Sequence, residues 1–250
     1  MRLRRRRPGR STSATSVSWS GTRPIYRVEH CAPAPRLPPP SAGKAAVLEI
    51  LTVCTGNICR SPLAAQLLSA RLADLDVTAT SAGARAREGA TMTPEAVQLA
   101  AHRGIPLGVS GAHRARYLTA AHLHAPVLVL AMAREHRREI VELDPTRLRT
   151  AFTIREFARL SADLTDDEVR SAAGAAGADP AARVAATIAL VAGRRGLVLP
   201  LADPADDDVI DPFGRSMQTY ERSAAELDPA VAAVARVFRL SLAGNTTVAD

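Results

Sequence analysis

The sequence predicts an α/β fold: a single three-layer domain with a central parallel four-stranded sheet and helices on both faces. Three observations carry this. Apolar strand-like runs alternate with helix-like periodic segments over about 200 residues. Residues 126–132 are apolar throughout, as a strand covered on both faces has to be. Residues 47–73 read as strand, short loop and helix, the unit from which parallel sheets are built.

Taken in order, residues 1–45 show no periodicity and pass from an arginine cluster to the Pro-rich run 33–40, the composition of a disordered extension. No apolar stretch of about 7–15 residues follows the cluster, so a signal peptide is not expected. The domain is expected over 46–245. A strand at 47–53 meets a loop and a helix at 61–73. A second strand, 77–80, enters a turn at Ser81-Ala82-Gly83, and 84–92 reads as loop. Pro94 opens a helix that Gly104 ends, and a short helix is expected at 115–121. After the strand at 126–132 come a helix at 133–142, an edge strand at 150–153 and a helix from Ile154. Residues 161–179 read as loosely ordered and 180–193 as a helix; together 161–202 form a helical insert. A loop at 203–214 precedes a terminal helix at 217–242, where Leu227, Val231, Val234, Val237 and Leu240 recur at three- and four-residue steps.

The net charge of +7 is unevenly placed. Residues 1–45 hold ten basic residues against Glu29, a net of +9; the other 205 carry 22 basic and 24 acidic residues, a net of −2. The domain therefore gives no electrostatic ground for a nucleic-acid partner. Cys31, Cys54 and Cys59 make no disulfide framework, and a close pair in a chain of this size reads as cytoplasmic. No run approaches the roughly 18–20 apolar residues of a membrane span. No His/Cys/Asp cluster has metal-ligand spacing, so neither metal nor cofactor is expected.

The chemistry concentrates at Cys54-Thr55-Gly56-Asn57-Ile58-Cys59-Arg60-Ser61-Pro62. A loop between a strand end and a helix start turns successive backbone N–H groups toward one point, and the helix N-terminus adds its positive end. That is an anion site, and it favours the thiolate form of a cysteine at its edge. The five-residue gap lets Cys54 and Arg60 face one phosphate-sized ligand, to which Arg60 offers two parallel N–H bonds. Gly56 lets the backbone turn, Asn57 tolerates a left-handed conformation, and Ser61 can donate to the sulfur.

These residues resemble the phosphate loop of the low-molecular-weight protein tyrosine phosphatases, and the resemblance spans roughly 47–157 and 203–240. Ser81-Ala82-Gly83 is similar to that family's second-strand turn, 112–116 to its His-x-Ala-Arg segment, and Asp211-Pro212-Phe213 to its acid loop. The resemblance implies Cys54 as nucleophile, Arg60 as phosphoryl binder and Asp211 as general acid and base. Thr55, Gly56, Asn57, Ile58, Cys59 and Ser61 would bind phosphate, with Phe213 walling the cleft and His113 bracing the loop through Asn57. It implies a phosphotyrosyl protein or small aryl phosphate as substrate. For Cys59 it suggests a reversible disulfide with Cys54; a small apolar plug under the loop is the alternative. Asp203, before Pro204, is a second candidate for the acid. The chain departs from the family at 84–91, where no aromatic stands and Arg85 and Arg87 would line the mouth instead, and at Gly214 and Ala133. Two other readings use the same loop. A thioredoxin-coupled arsenate reductase needs further cysteines, and none follows Cys59. A phosphate-binding regulatory module would lack the nucleophile or the acid.

Overall fold

The computed structural model describes residues 47–243; the expectation for 1–45 lies outside them. Four parallel strands form one sheet in the order β2-β1-β3-β4, with β1 Leu48–Cys54, β2 Val77–Gly83, β3 Leu128–Ala131 and β4 Ala151–Thr153. β1 and β3 are central and almost wholly buried, which is why β3 is apolar throughout and β1 apolar but for Glu49 and Thr52. The short β4 lies at an edge.

Alternate residues of each strand point to opposite faces, and the two faces hold separate cores. Ile50, Leu128, Leu130 and Phe152 join one core with α1 (Arg60–Arg71), α2 (Pro94–His102), α5 (Ile154–Ser161) and the long α8 (Met217–Leu242). Leu51, Val53, Val129 and Ala131 meet Leu118, Leu123 and Ile140 of α4 (Arg134–Leu143) on the other. The sheet is thus the middle of three layers, with a thicker helical layer on the α1 and α8 side. No described helix is long and apolar enough to cross a membrane.

Four local expectations are corrected. Ser81-Ala82-Gly83 is not a turn but the end of β2, paired with 52–54 of β1. No helix forms at 115–121: Gly83 donates to Arg116 O and Leu118 N donates back to Gly83 O, so this stretch runs extended beside β2 and only Ala120–Leu123 closes a 3₁₀ turn. A short helix, α3 (Leu107–Ala112), stands where none was expected. Residues 161–179 are not loosely ordered, because α6 (Asp166–Ala175) forms there. Thr165 caps it by accepting from Glu168 N, and Glu168 Oε2 accepts in return from Thr165 N, a reciprocal box legible as Thr-x-x-Glu. α6 and α7 (Pro180–Gly193) pack on each other and on α8.

Candidate active site

β1 delivers Cys54, 2% exposed, to the top of the sheet, and α1 begins six residues later at Arg60. Between them Asn57 adopts φ 55°, the left-handed conformation that asparagine tolerates. Its buried side chain and its main-chain carbonyl tie three elements together. Nδ2 donates to Ser61 Oγ at 2.9 Å, Oδ1 accepts from Arg116 N at 2.9 Å, and its carbonyl accepts from His113 Nε2 at 2.7 Å. The last bond fixes the proton of His113 on Nε2, and burial, opposed by this bond, lowers the ring's proton affinity. His113 thus meets Asn57 through the main chain.

Cys54 Sγ accepts from Asn57 N at 3.2 Å, and Ser61 Oγ lies 3.0 Å from the sulfur and donates to Ala82 O at 3.3 Å. Gly83 makes this closeness possible. A Cβ there would lie 2.7 Å from Thr55 O and 2.8 Å from Asn57 N, so β2 can approach the loop only with glycine.

Arg60 is buried. Nη1 donates to Val209 O at 3.1 Å, and Nη2 to Thr55 Oγ1 at 3.3 Å and to Asp211 Oδ2 at 2.8 Å. Its Nε is buried without a partner among the described residues. Asp211, half-exposed, comes from about 150 residues further along the chain. Its loop is held by Val209 N on Met132 O, by Ile210 N on Glu226 Oε2, and by Asp208, which accepts from the backbone and guanidinium of Arg134. Asp203 accepts from Ala205 N, capping the 3₁₀ turn Pro204–Asp207, and does not line the cavity above the loop.

That cavity measures about 450 Å³. Of the residues expected in the site, Cys54, Thr55, Gly56, Ile58, Cys59, Arg60, Asp211 and Phe213 line it, whereas Asn57, Ser61 and His113 hold the loop from behind. Arg85 and Arg87 stand at its mouth. Cys59 is a free thiol, as is Cys54; it sits 3.5 Å from Thr93 Oγ1 and from Tyr220 Oη, and burial pushes both Cys59 and the Tyr220 phenol up, the phenol to about 12. Among the described residues no group of three His, Cys, Asp or Glu side chains could hold a metal ion.

His136 was not foreseen. Its Nε2 lies 2.9 Å from Thr55 Oγ1, which already accepts from Arg60, so the threonine links the histidine to the guanidinium. It is 1% exposed, and burial first, then the charges of Arg60 and Arg85, pull it down to about 4. The available signal was faint: His136 and Ile140 share the buried face of α4. A folded-state value below the unfolded 6.5 means that the unfolded chain takes up this proton first as pH falls. The His136 contribution is therefore intact above about 6.5, lost between about 6.5 and about 4, and constant below. Denaturant titrations should show wild type losing ~3 kcal/mol more than His136→Gln from pH 7 to 4. Parallel losses would mean that the ring is not buried neutral.

A buried sulfur, a guanidinium and a carboxylate surround one small cavity at the end of an α/β sheet. A sequence profile described as low molecular weight phosphotyrosine protein phosphatase matches residues 49–170. The probable low molecular weight protein-tyrosine-phosphatase EpsP of Ralstonia solanacearum is 37% identical over 114 residues, covering 46% of this chain and 75% of that protein. A protein-arginine-phosphatase of Geobacillus stearothermophilus is 39% identical over 109 residues, 43% of this chain and 70% of that one. Among solved structures, the low molecular weight protein tyrosine phosphatase of T. tengcongensis superposes with TM-score 0.52 at 30% identity, over 75% of this chain and 97% of that one. The YwlE arginine phosphatase of G. stearothermophilus does so with TM-score 0.52 at 28% identity, over 75% and 90%. The chain belongs to the low molecular weight phosphotyrosine protein phosphatase family.

Proposed function

We propose that this chain hydrolyses phosphotyrosine in proteins, and aryl phosphate monoesters generally, through a phosphocysteine intermediate. The observation that carries this is the meeting of Cys54, Arg60 and Asp211 on one cavity. The Cys54 thiolate attacks phosphorus in line with the phenolic oxygen, and the P–O bond breaks as the S–P bond forms. Arg60 and the loop N–H groups take the charge on the equatorial oxygens. Asp211 gives its proton to the departing phenolate. It then takes one from the water that cleaves the S–P bond, releasing phosphate and the thiolate. Asn57 N and Ser61 Oγ stabilise that thiolate as leaving group, and Gly56 leaves the loop's N–H groups unobstructed.

Relatives bear both tyrosine- and arginine-phosphatase names, and two features favour the aryl ester. Phe213 and Ile58 offer apolar surface to a ring. Arg85 and Arg87 oppose a cationic arginine leaving group. Free thiols at Cys54 and Cys59 fit a reducing, cytoplasmic setting. We read residues 46–245 as one such domain, with 161–202 as a helical insertion carrying α6 and α7. Phosphate release from 4-nitrophenyl phosphate, a phosphotyrosine peptide and a phosphoarginine peptide, with a chelator present, tests the reading. Turnover of the first two, with the arginine peptide slower, is expected. A higher kcat/KM on phosphoarginine would overturn the substrate, and no turnover on any would leave only phosphate binding.

A further inference from the structure

A second cavity, about 530 Å³, lies beside the catalytic one, and Arg85 lines both. Its other walls include Tyr117, Leu118, Glu139 and Leu143. Tyr117 and Leu143 are 51% and 44% exposed, large apolar side chains left in water next to a reaction site. Tyr117 is held there because its segment runs extended beside the end of β2, its N–H donating to Glu88 Oε2.

Arg85 gives one N–H, from Nη2, to Glu139 Oε1 at 2.8 Å. A guanidinium has five donors, so the side chain that divides the two cavities retains donors for a second carboxylate. It would not have to release Glu139 to bind one. Glu139 Oε2 is buried without a partner among the described residues, so losing Arg85 would strand that carboxylate. Arg87 adds a second exposed guanidinium at the rim. Among the described residues the only acid lining the catalytic cavity, Asp211, is already bonded to Arg60. Arg85 is paired with Glu139, so the positive charge on the strip between the cavities comes from Arg87, which makes no salt bridge among the described residues, with apolar surface beyond it.

We propose that the second cavity is a subsite for the substrate chain flanking the phosphorylated residue, and that it takes a peptide with an acidic residue beside the phosphotyrosine and an apolar one next to it. Arg85 and Arg87 bind the acid; Tyr117 and Leu143 receive the apolar side chain. An extended peptide advances about 3.3 Å per residue, so two cavities sharing one side chain as a wall suit neighbouring residues of a single strand. The continuity of the two cavities and the charge of their divide select this occupant. The inference rests on the aryl phosphatase reading.

Its test compares kcat/KM at low ionic strength for 4-nitrophenyl phosphate, which reaches only the catalytic cavity, and for two phosphotyrosine peptides. One carries Glu and then Leu on each side of the phosphotyrosine; the other carries Ala at all four positions. Wild type should favour the Glu/Leu peptide about three- to tenfold, mainly through KM. The preference should shrink as salt is raised to about 0.5 M, where exposed charges are screened. Arg85→Glu should abolish or invert it, and Leu143→Asp should reduce it. Equal kcat/KM for both peptides, with 4-nitrophenyl phosphate turned over, would overturn the subsite alone, as would an unchanged preference in Arg85→Glu. Hydrolysis of none of the three would overturn the reaction and the subsite with it. The salt dependence in wild type decides the matter should Arg85→Glu not fold.

Discussion

Replacing Cys54 by serine is expected to lower aryl phosphate turnover by at least about 10⁴-fold. An alcohol at this position is a far weaker nucleophile than a thiolate, and the two groups bonded to Sγ, Asn57 N and Ser61 Oγ, cannot make it one. The change is nearly isosteric at a residue 2% exposed, so the fold and the anion site should persist. Inorganic phosphate should therefore still raise the Tm of Cys54→Ser, because Arg60 Nε and the loop N–H groups are untouched. Steady-state rates and thermal shifts measure the two halves separately. Turnover near the wild-type level would remove Cys54 as nucleophile. Turnover lost together with the phosphate shift would mean that the substitution had damaged the loop.

The second large effect is expected at Asp211. Asp211→Asn keeps an acceptor for Arg60 Nη2, 2.8 Å away, yet has no proton to give a departing oxygen. Turnover should fall about 10²–10⁴-fold for poor leaving groups such as phenolate and tyrosine. The loss should be much smaller for 4-nitrophenolate, which leaves without help. That dependence on the leaving group separates an acid from a residue that only positions Arg60, whose loss would slow every substrate alike. Asp203→Asn serves as the comparison, since Asp203 is spent on capping the turn before the acid loop. A large loss from Asp203→Asn with none from Asp211→Asn would reverse the assignment.

Much of the fold was legible because its signals are local. β1 and β3 announce themselves as apolar runs, and α8 as a three- and four-residue recurrence. The misreadings occurred where a distant backbone outbid local propensity. Residues 115–118 suit a helix, but the free N–H and C=O of Gly83 draw them into extended pairing. Ser81-Ala82-Gly83 looks like a turn because its residues are small; they are small because β2 runs against the loop, and at Gly83 a Cβ would collide with Thr55 and Asn57. α6 was overlooked for a different reason: its Ala/Gly composition hid a capping box that was in plain view.

The loop from Cys54 to Arg60 is legible in the chain alone, since the thiol, the asparagine that tolerates a left-handed conformation and the arginine are near neighbours in sequence. The tertiary structure alone decided what surrounds it. It placed Asp211 and not Asp203 against Arg60, set a neutral His136 behind Thr55, and joined a second cavity to the first across Arg85. These depend on distances between elements far apart in the chain. Such distances arise from how the layers pack on the sheet, and no local propensity encodes them.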